Sequence, residues 1–252
     1  MSVEFVSASQ AADAAACDAP LRLVDTFGRV ARDLRVSLTD RCNLRCSYCM
    51  PPEGLDWLPT EDTLTDDEVV RLIRIGVDML GIRQVRFTGG EPLLRRGLEG
   101  IITECSHLRT DEGKPLDLAL TTNALGLAKR AQGLKDAGLN RVNISLDSLD
   151  PEHFAAITRR DRLADVLEGI AARAGLSPIK VNTLVLRGMN EADLPDLVDY
   201  CLDRGIELRV IEQMPIGPAD TWDRQNIMTA DEILHIMGTR HTLTPAPRED
   251  PH

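Results

Sequence analysis

The sequence predicts a parallel α/β fold, an incomplete (β/α)6 barrel of the TIM type. Six short runs rich in branched apolar residues alternate with stretches of helical periodicity, the order in which each strand lies parallel to its neighbour. The residues with reactive or ligating side chains collect at or just beyond the ends of those runs, where barrels gather their active sites. A chain of 252 residues with 43% hydrophobic content is also long enough for one sizeable core. Aromatics make up only 3%, so aliphatic side chains must fill that core.

Taken in order, residues 1–20 are rich in Ala, Ser and Asp and read as a flexible tail, 21–240 as the barrel, and 241–252 as a Pro-containing C-terminal tail. The alternation over 34–38 predicts the first strand. Thr65 followed by Glu68 makes a capping box, and Val69, Val70, Leu72, Ile73, Val77 and Leu80 then fall at helical spacing until Gly81. A second strand over 82–88 is broken by Gly89-Gly90-Glu91-Pro92. Further on, helices are predicted over about 97–106 and 127–137, and strands over 116–122 and 141–147. One or two helices fit within 151–174, followed by a strand over 179–186, a helix over about 191–204 and a sixth strand over 207–213. A second capping box, Thr229 to Glu232, opens a short helix ending near Gly238.

Directly after the first strand stand Cys42, Cys46 and Cys49, spaced C-x3-C-x2-C. The intervening Asn43, Arg45 and Ser47 are polar, which a packed core would not select, so the thiols read as ligands. A structural zinc site takes four protein ligands, and this loop supplies three with no His beside them. Three thiolates on a [4Fe–4S] cluster would leave one iron open to a substrate or cosubstrate. A zinc site completed by a distant residue and free thiols are the competing readings. Cys17, Cys105 and Cys201 are scattered, which is no disulfide framework and fits a reducing cytoplasm. Cys105 and Cys201 fall in helical stretches and read as small buried apolar residues.

A formal charge of −11 argues against nucleic acid and anionic membrane as partners. No run of 18 apolar residues is present, and the N-terminal stretch lacks the basic and apolar regions of a signal peptide. His107, His153, His235 and His241 show no metal-ligand spacing.

The cysteine loop, with Tyr48 before the last Cys, resembles the signature of the radical S-adenosylmethionine superfamily. DTFGR at 25–29, LRVSLTDRCNLRC at 34–46, YCMP at 48–51, RFTGGEPLLR at 86–95 and NISLD at 143–147 look like the GTP 3′,8-cyclase family of molybdenum cofactor biosynthesis. The similarity runs from about Leu21 to the region of Met214. It implies a lyase that converts GTP to (8S)-3′,8-cyclo-7,8-dihydroguanosine 5′-triphosphate. In that family an electron entering the cluster cleaves S-adenosylmethionine to methionine and a 5′-deoxyadenosyl radical. The radical takes the 3′ hydrogen of GTP, and the ribose carbon then attacks C8 of guanine.

The resemblance assigns the cluster to Cys42, Cys46 and Cys49, and S-adenosylmethionine to Tyr48, Gly90, Ser145 and Met214. Without it, the glycine pair reads as a tight turn, Ser145 as a strand-end hydrogen bonder and Met214 as core. GTP is assigned to Arg35, Arg86, Thr121 and Lys180. If alternate strand residues face inward, the three cations and Thr121 converge at the barrel mouth, where they suit a triphosphate. A reductase or other electron donor, a homodimer, and cyclic pyranopterin monophosphate synthase as the next enzyme are the further implied partners.

Two departures accompany the resemblance. Members of the family carry a second [4Fe–4S] cluster on three C-terminal cysteines and end in a paired glycine, whereas here no cysteine follows Cys201. The expectation is therefore a truncated chain that cleaves S-adenosylmethionine but cyclises GTP poorly. Rival readings are a radical enzyme acting on another substrate such as a peptide, and a non-catalytic paralogue that binds a cluster or a partner. Ala124 stands where the family commonly has Gly, a change of consequence only if the turn requires a positive φ.

Overall fold

The structure, a computed structural model, describes residues 21–172, 175–214 and 227–246. Among them, one sheet holds β1 (Asp33–Ser37), β2 (Gln84–Thr88), β3 (Asp117–Thr122), β4 (Arg141–Ser145), β5 (Ile179–Leu184) and β6 (Glu207–Ile211). Every adjacent pair is parallel and the order is sequential, β1 to β6, with β1 and β6 as edges. Around the sheet run α1 (Asp66–Leu80), α2 (Leu98–Ser106), α3 (Leu127–Asp136), α4 (Pro151–Thr158), α5 (Leu163–Ala171), α6 (Leu194–Asp203) and α7 (Ala230–Gly238). This is the expected open (β/α)6 arrangement.

Local chemistry explains where the helices start. The Thr65 hydroxyl accepts from the Glu68 N–H while the Glu68 carboxylate accepts from the Thr65 N–H, and Thr229 with Glu232 repeats the device at α7. Asp150 caps α4 by accepting from the N–H groups of Glu152 and His153, with Pro151 in the first turn.

Strand alternation decides what each side of the sheet faces. Val85, Phe87, Leu118, Leu120, Val142, Ile144 and Val181 are fully buried in the core with the helices. The alternate set includes Arg35, Arg86, Thr121, Ser145 and Asn182, and it lines the interior cavities.

β5 ends earlier than predicted. The Leu184 N–H donates to the Asp147 carboxylate at 2.8 Å and the Leu186 N–H to the Asn190 side chain at 2.7 Å, so side-chain acceptors replace the ladder. β6 likewise stops at Ile211 rather than at 213. The stretch predicted as one helix over 191–204 begins with a 3-10 turn, Glu191–Asp193, and becomes α-helical from Leu194. Of the expected tails, 241–246 has no regular secondary structure, and 1–20 and 247–252 lie outside the described residues, as does Cys17.

Candidate active site

The cysteine loop is tied at both ends to its surroundings. The Arg45 and Ser47 N–H groups donate to the Thr158 and Ile157 carbonyls at the end of α4, at 3.0 and 2.9 Å. Arg159 reaches back to the carbonyls of Arg45 and Met50, and Arg45 to those of Cys42 and Leu44. Leu44 and Met50 are buried. The polar residues between the cysteines therefore serve to shape the loop.

Tyr48 donates its hydroxyl to the Asp147 carboxylate at 2.8 Å. Asp147 is buried at the end of β4 with no cation against it, so burial pushes its carboxyl up to about 6. That carboxylate also holds the Leu184 N–H, so one side chain joins the loop to the ends of β4 and β5.

The glycine pair solves a steric problem. Gly90 donates its N–H to the Thr39 carbonyl at 2.6 Å, and Glu91 donates to the Arg41 carbonyl at 2.7 Å. A Cβ on Gly90 would lie 2.2 Å from the Arg41 oxygen, and one on Gly89 2.4 Å from the Thr39 oxygen. The pair lets the end of β2 run against the chain entering the cysteine loop. Gly90→Ala is expected to lower stability by about 2–3 kcal/mol, because the clashing atoms are backbone and cannot turn aside. Urea denaturation checks this, and a wild-type midpoint would contradict it.

Three cavities adjoin one another at the C-terminal ends and interior of the strands. One of about 210 Å³ is lined by Cys42, Cys46 and Cys49 with Gly90, Asn123 and Ser145. A neighbour of about 360 Å³ shares Tyr48, Cys49, Ser145 and Asp147 and adds Met214. A third, about 550 Å³, is lined by Arg35, Arg86, Thr88, Asn182 and Arg209. Thr121 belongs to all three. The structure thus brings Tyr48, Gly90, Ser145 and Met214 to the space beside the thiols.

The cations depart from expectation in two ways. Arg35 and Arg86 are directly paired across β1 and β2, two residues before the strand ends, so they sit about 6–7 Å below the mouth rather than at it. Lys180 does not line their cavity. It occupies the layer of Asn143 and Thr121 and is held by Glu207 across the β5–β6 pair, Nζ to Oε2 2.7 Å. Arg209 lines that cavity instead and was missed in the sequence, where only its alternation with Glu207 and Ile211 marked it as inward. Among the described residues neither Arg35 nor Arg86 has a carboxylate partner, and the Arg86 Nε is buried without any hydrogen bond. Burial, and next the neighbouring Arg35, hold the Arg86 guanidinium below its usual pKa.

The donor set suits a cluster better than a single ion. The three thiols are free. Burial raises all three, with Cys46 pushed up to about 12, so each is neutral until an electropositive metal ionises it. Among the described residues no three His, Cys, Asp or Glu side chains are grouped to hold one metal ion. A [4Fe–4S] cluster takes one thiolate per iron and needs no such convergence.

Fold and site together define a partial α/β barrel that carries a three-thiolate cluster loop at its mouth. The sequence profile of the Radical SAM superfamily matches residues 36–201, and the chain belongs to that superfamily. Membership implies a [4Fe–4S] cluster and S-adenosylmethionine. Among curated relatives, the GTP 3′,8-cyclase of Corynebacterium glutamicum is 62% identical over 226 residues, covering 89% of this chain and 60% of the relative. That of Mycolicibacterium smegmatis is 54% identical over 242 residues, covering 95% of this chain and 65% of the relative. The chain thus spans less than two thirds of the length of these relatives.

Among solved structures, Streptococcus suis SuiB bound to its precursor peptide SuiA superposes with TM-score 0.58 at 19% identity, covering 73% of this chain and 40% of that one. TYW1 with a lysine-pyruvate adduct bound gives 0.57 at 17% identity, covering 82% and 72%. At such identities the likeness concerns the fold. No helix among the described residues is long and apolar enough to cross a membrane.

Proposed function

We propose that this chain generates a radical from S-adenosylmethionine and applies it to GTP, as part of the 3′,8-cyclisation that opens molybdenum cofactor biosynthesis. One observation carries the reading. The thiol cavity and the cationic cavity adjoin through two shared residues, Thr88 and Thr121. The identities of 54–62% to named GTP 3′,8-cyclases support it.

When bound, the cluster and S-adenosylmethionine supply an electron and a carbon radical able to abstract hydrogen. The residues of this chain place the reactants. Cys42, Cys46 and Cys49 would hold the cluster, and Tyr48, Gly90, Ser145 and Met214 border the space beside the thiols where the cosubstrate would lie. Arg35 and Arg86, joined by Arg209, take the triphosphate deep in the barrel through forked, permanent charge. Thr121 lines both cavities. Lys180 and Arg209 both pair with Glu207, and each reaches a phosphate by exchanging that carboxylate for it. The apolar wall under the sheet excludes bulk water, which strengthens each of these contacts. Reduced thiols free to take iron suit a cytoplasmic setting with an electron-donor protein.

The test is anaerobic reconstitution of the chain with iron and sulfide, followed by mass-spectrometric assay with S-adenosylmethionine, dithionite and GTP. Formation of 5′-deoxyadenosine that takes deuterium from 3′-deuterated GTP is the expected result. Turnover of S-adenosylmethionine with no deuterium transfer from GTP would assign the radical to another substrate.

A further inference from the structure

We propose that Asn123 tunes the cluster, its side-chain amide donating a hydrogen bond to the Cys42 sulfur and raising the reduction potential of the group that sulfur holds. The proposal rests on the cluster reading of the cysteine loop.

Asn123 lies at the end of β3 and is 8% exposed. Its Oδ1 accepts from the Leu125 N–H at 2.9 Å. A main-chain N–H can only donate, so the oxygen of the amide is fixed on that side and both Nδ2 hydrogens point the other way. Nδ2 donates to Asn43 Oδ1 at 2.7 Å and stands 3.9 Å from Cys42 Sγ, within reach of an N–H···S bond. One amide therefore touches both a loop residue and the sulfur beside it.

The amide cannot easily swing away. The Asn123 N–H is held by Glu91 Oε2 at 2.8 Å, and the same carboxylate accepts from the Thr122 hydroxyl at 2.7 Å and the Leu93 N–H at 2.9 Å. Glu91 is 1% exposed, so this network is shielded from competing water.

The three sulfurs are treated unequally. The Tyr48 hydroxyl, inside the loop, is committed to the Asp147 carboxylate and not to a sulfur. Asn123 adds a donor from the sheet. Reduction places one more negative charge on iron and sulfur, and an N–H dipole aimed at a thiolate stabilises that state in a low-dielectric cavity.

The experiment compares wild-type chain, Asn123→Asp and Asn123→Leu after anaerobic reconstitution. Dithionite supplies the single electron that takes the cluster from its 2+ to its 1+ state, and EPR follows the reduced signal against potential. Both variants are expected to titrate at more negative potential, Asn123→Asp further because it adds charge as well as removing the donor. Variants that load iron and sulfide normally and titrate with the wild type overturn the proposal. Should neither variant load, wild-type protein carrying 15N in asparagine side chains decides by pulsed EPR. A nitrogen coupling in the reduced cluster supports the hydrogen bond, and its absence overturns it. A wild-type chain that binds no cluster refutes the reading of the loop, and the proposal with it.

Discussion

Cys46→Ala is expected to abolish cluster incorporation and reduce 5′-deoxyadenosine formation to background. In the structure this thiol is half-buried behind Tyr48 and raised to about 12 by burial, so only coordination to metal makes it a thiolate. Alanine at 46 leaves two ligands, and the open iron that the cosubstrate requires no longer sits in a defined place. Iron and sulfide analysis with the visible charge-transfer band checks the result. Cys105→Ala is the control: Cys105 is fully buried in α2, away from the loop, and its loss should cost about 1 kcal/mol of stability with normal cluster content. Equal loss of cluster in both variants would trace the effect to folding and contradict the assignment.

Arg86→Met should weaken GTP binding by about 10- to 100-fold, the range of losing one or two charge-assisted hydrogen bonds. The same change should raise the thermal stability of the nucleotide-free chain, because a half-buried cation that faces Arg35 and leaves its Nε unbonded is removed. Opposite signs for binding and stability are the diagnostic, since a merely structural arginine would lose both. Lys180→Met is expected to affect binding less, its charge being engaged by Glu207. Calorimetric titration with GTP and with inorganic triphosphate reads these differences. The wild-type affinity for both should fall as salt is added. Binding by Arg86→Met at wild-type strength would remove this residue from the anion site.

Much of the fold was legible because its signals are local. Thr65 with Glu68 and Thr229 with Glu232 announce their helices within four residues, and alternation along a strand sets Arg86 and Phe87 on opposite faces. The cysteine loop was equally plain, its spacing being contiguous. What escaped depends on contacts far apart in sequence. The Lys180–Glu207 pair arises from the β5–β6 register, 27 residues apart. The depth of Arg35 and Arg86 follows from where the strands stop, which the sequence locates only to within a residue or two. Glu91 sat inside the quoted stretch 86–95 and Asn123 directly after the third predicted strand, yet the three contacts of the carboxylate and the three of the amide are visible only in space. Ala124 is a mixed case. Its φ of 64° shows that the turn does require the left-handed region, so alanine there costs about 1 kcal/mol against glycine. The strain is borne where β3 hands over to α3.

The cationic inner face of the open barrel has one more consequence. Arg35, Arg86 and Arg209 line one cavity inside a chain whose overall charge is −11. An anion that settles among them is bound by the folded state and not by the unfolded one, so it deepens the native minimum by an amount that grows with the logarithm of its concentration. If the nucleotide proposed above is that anion, it is a ligand of folding as well as of chemistry. A cell rich in it would keep this protein longer against its proteases than a starved one, and abundance would follow supply without any dedicated regulator.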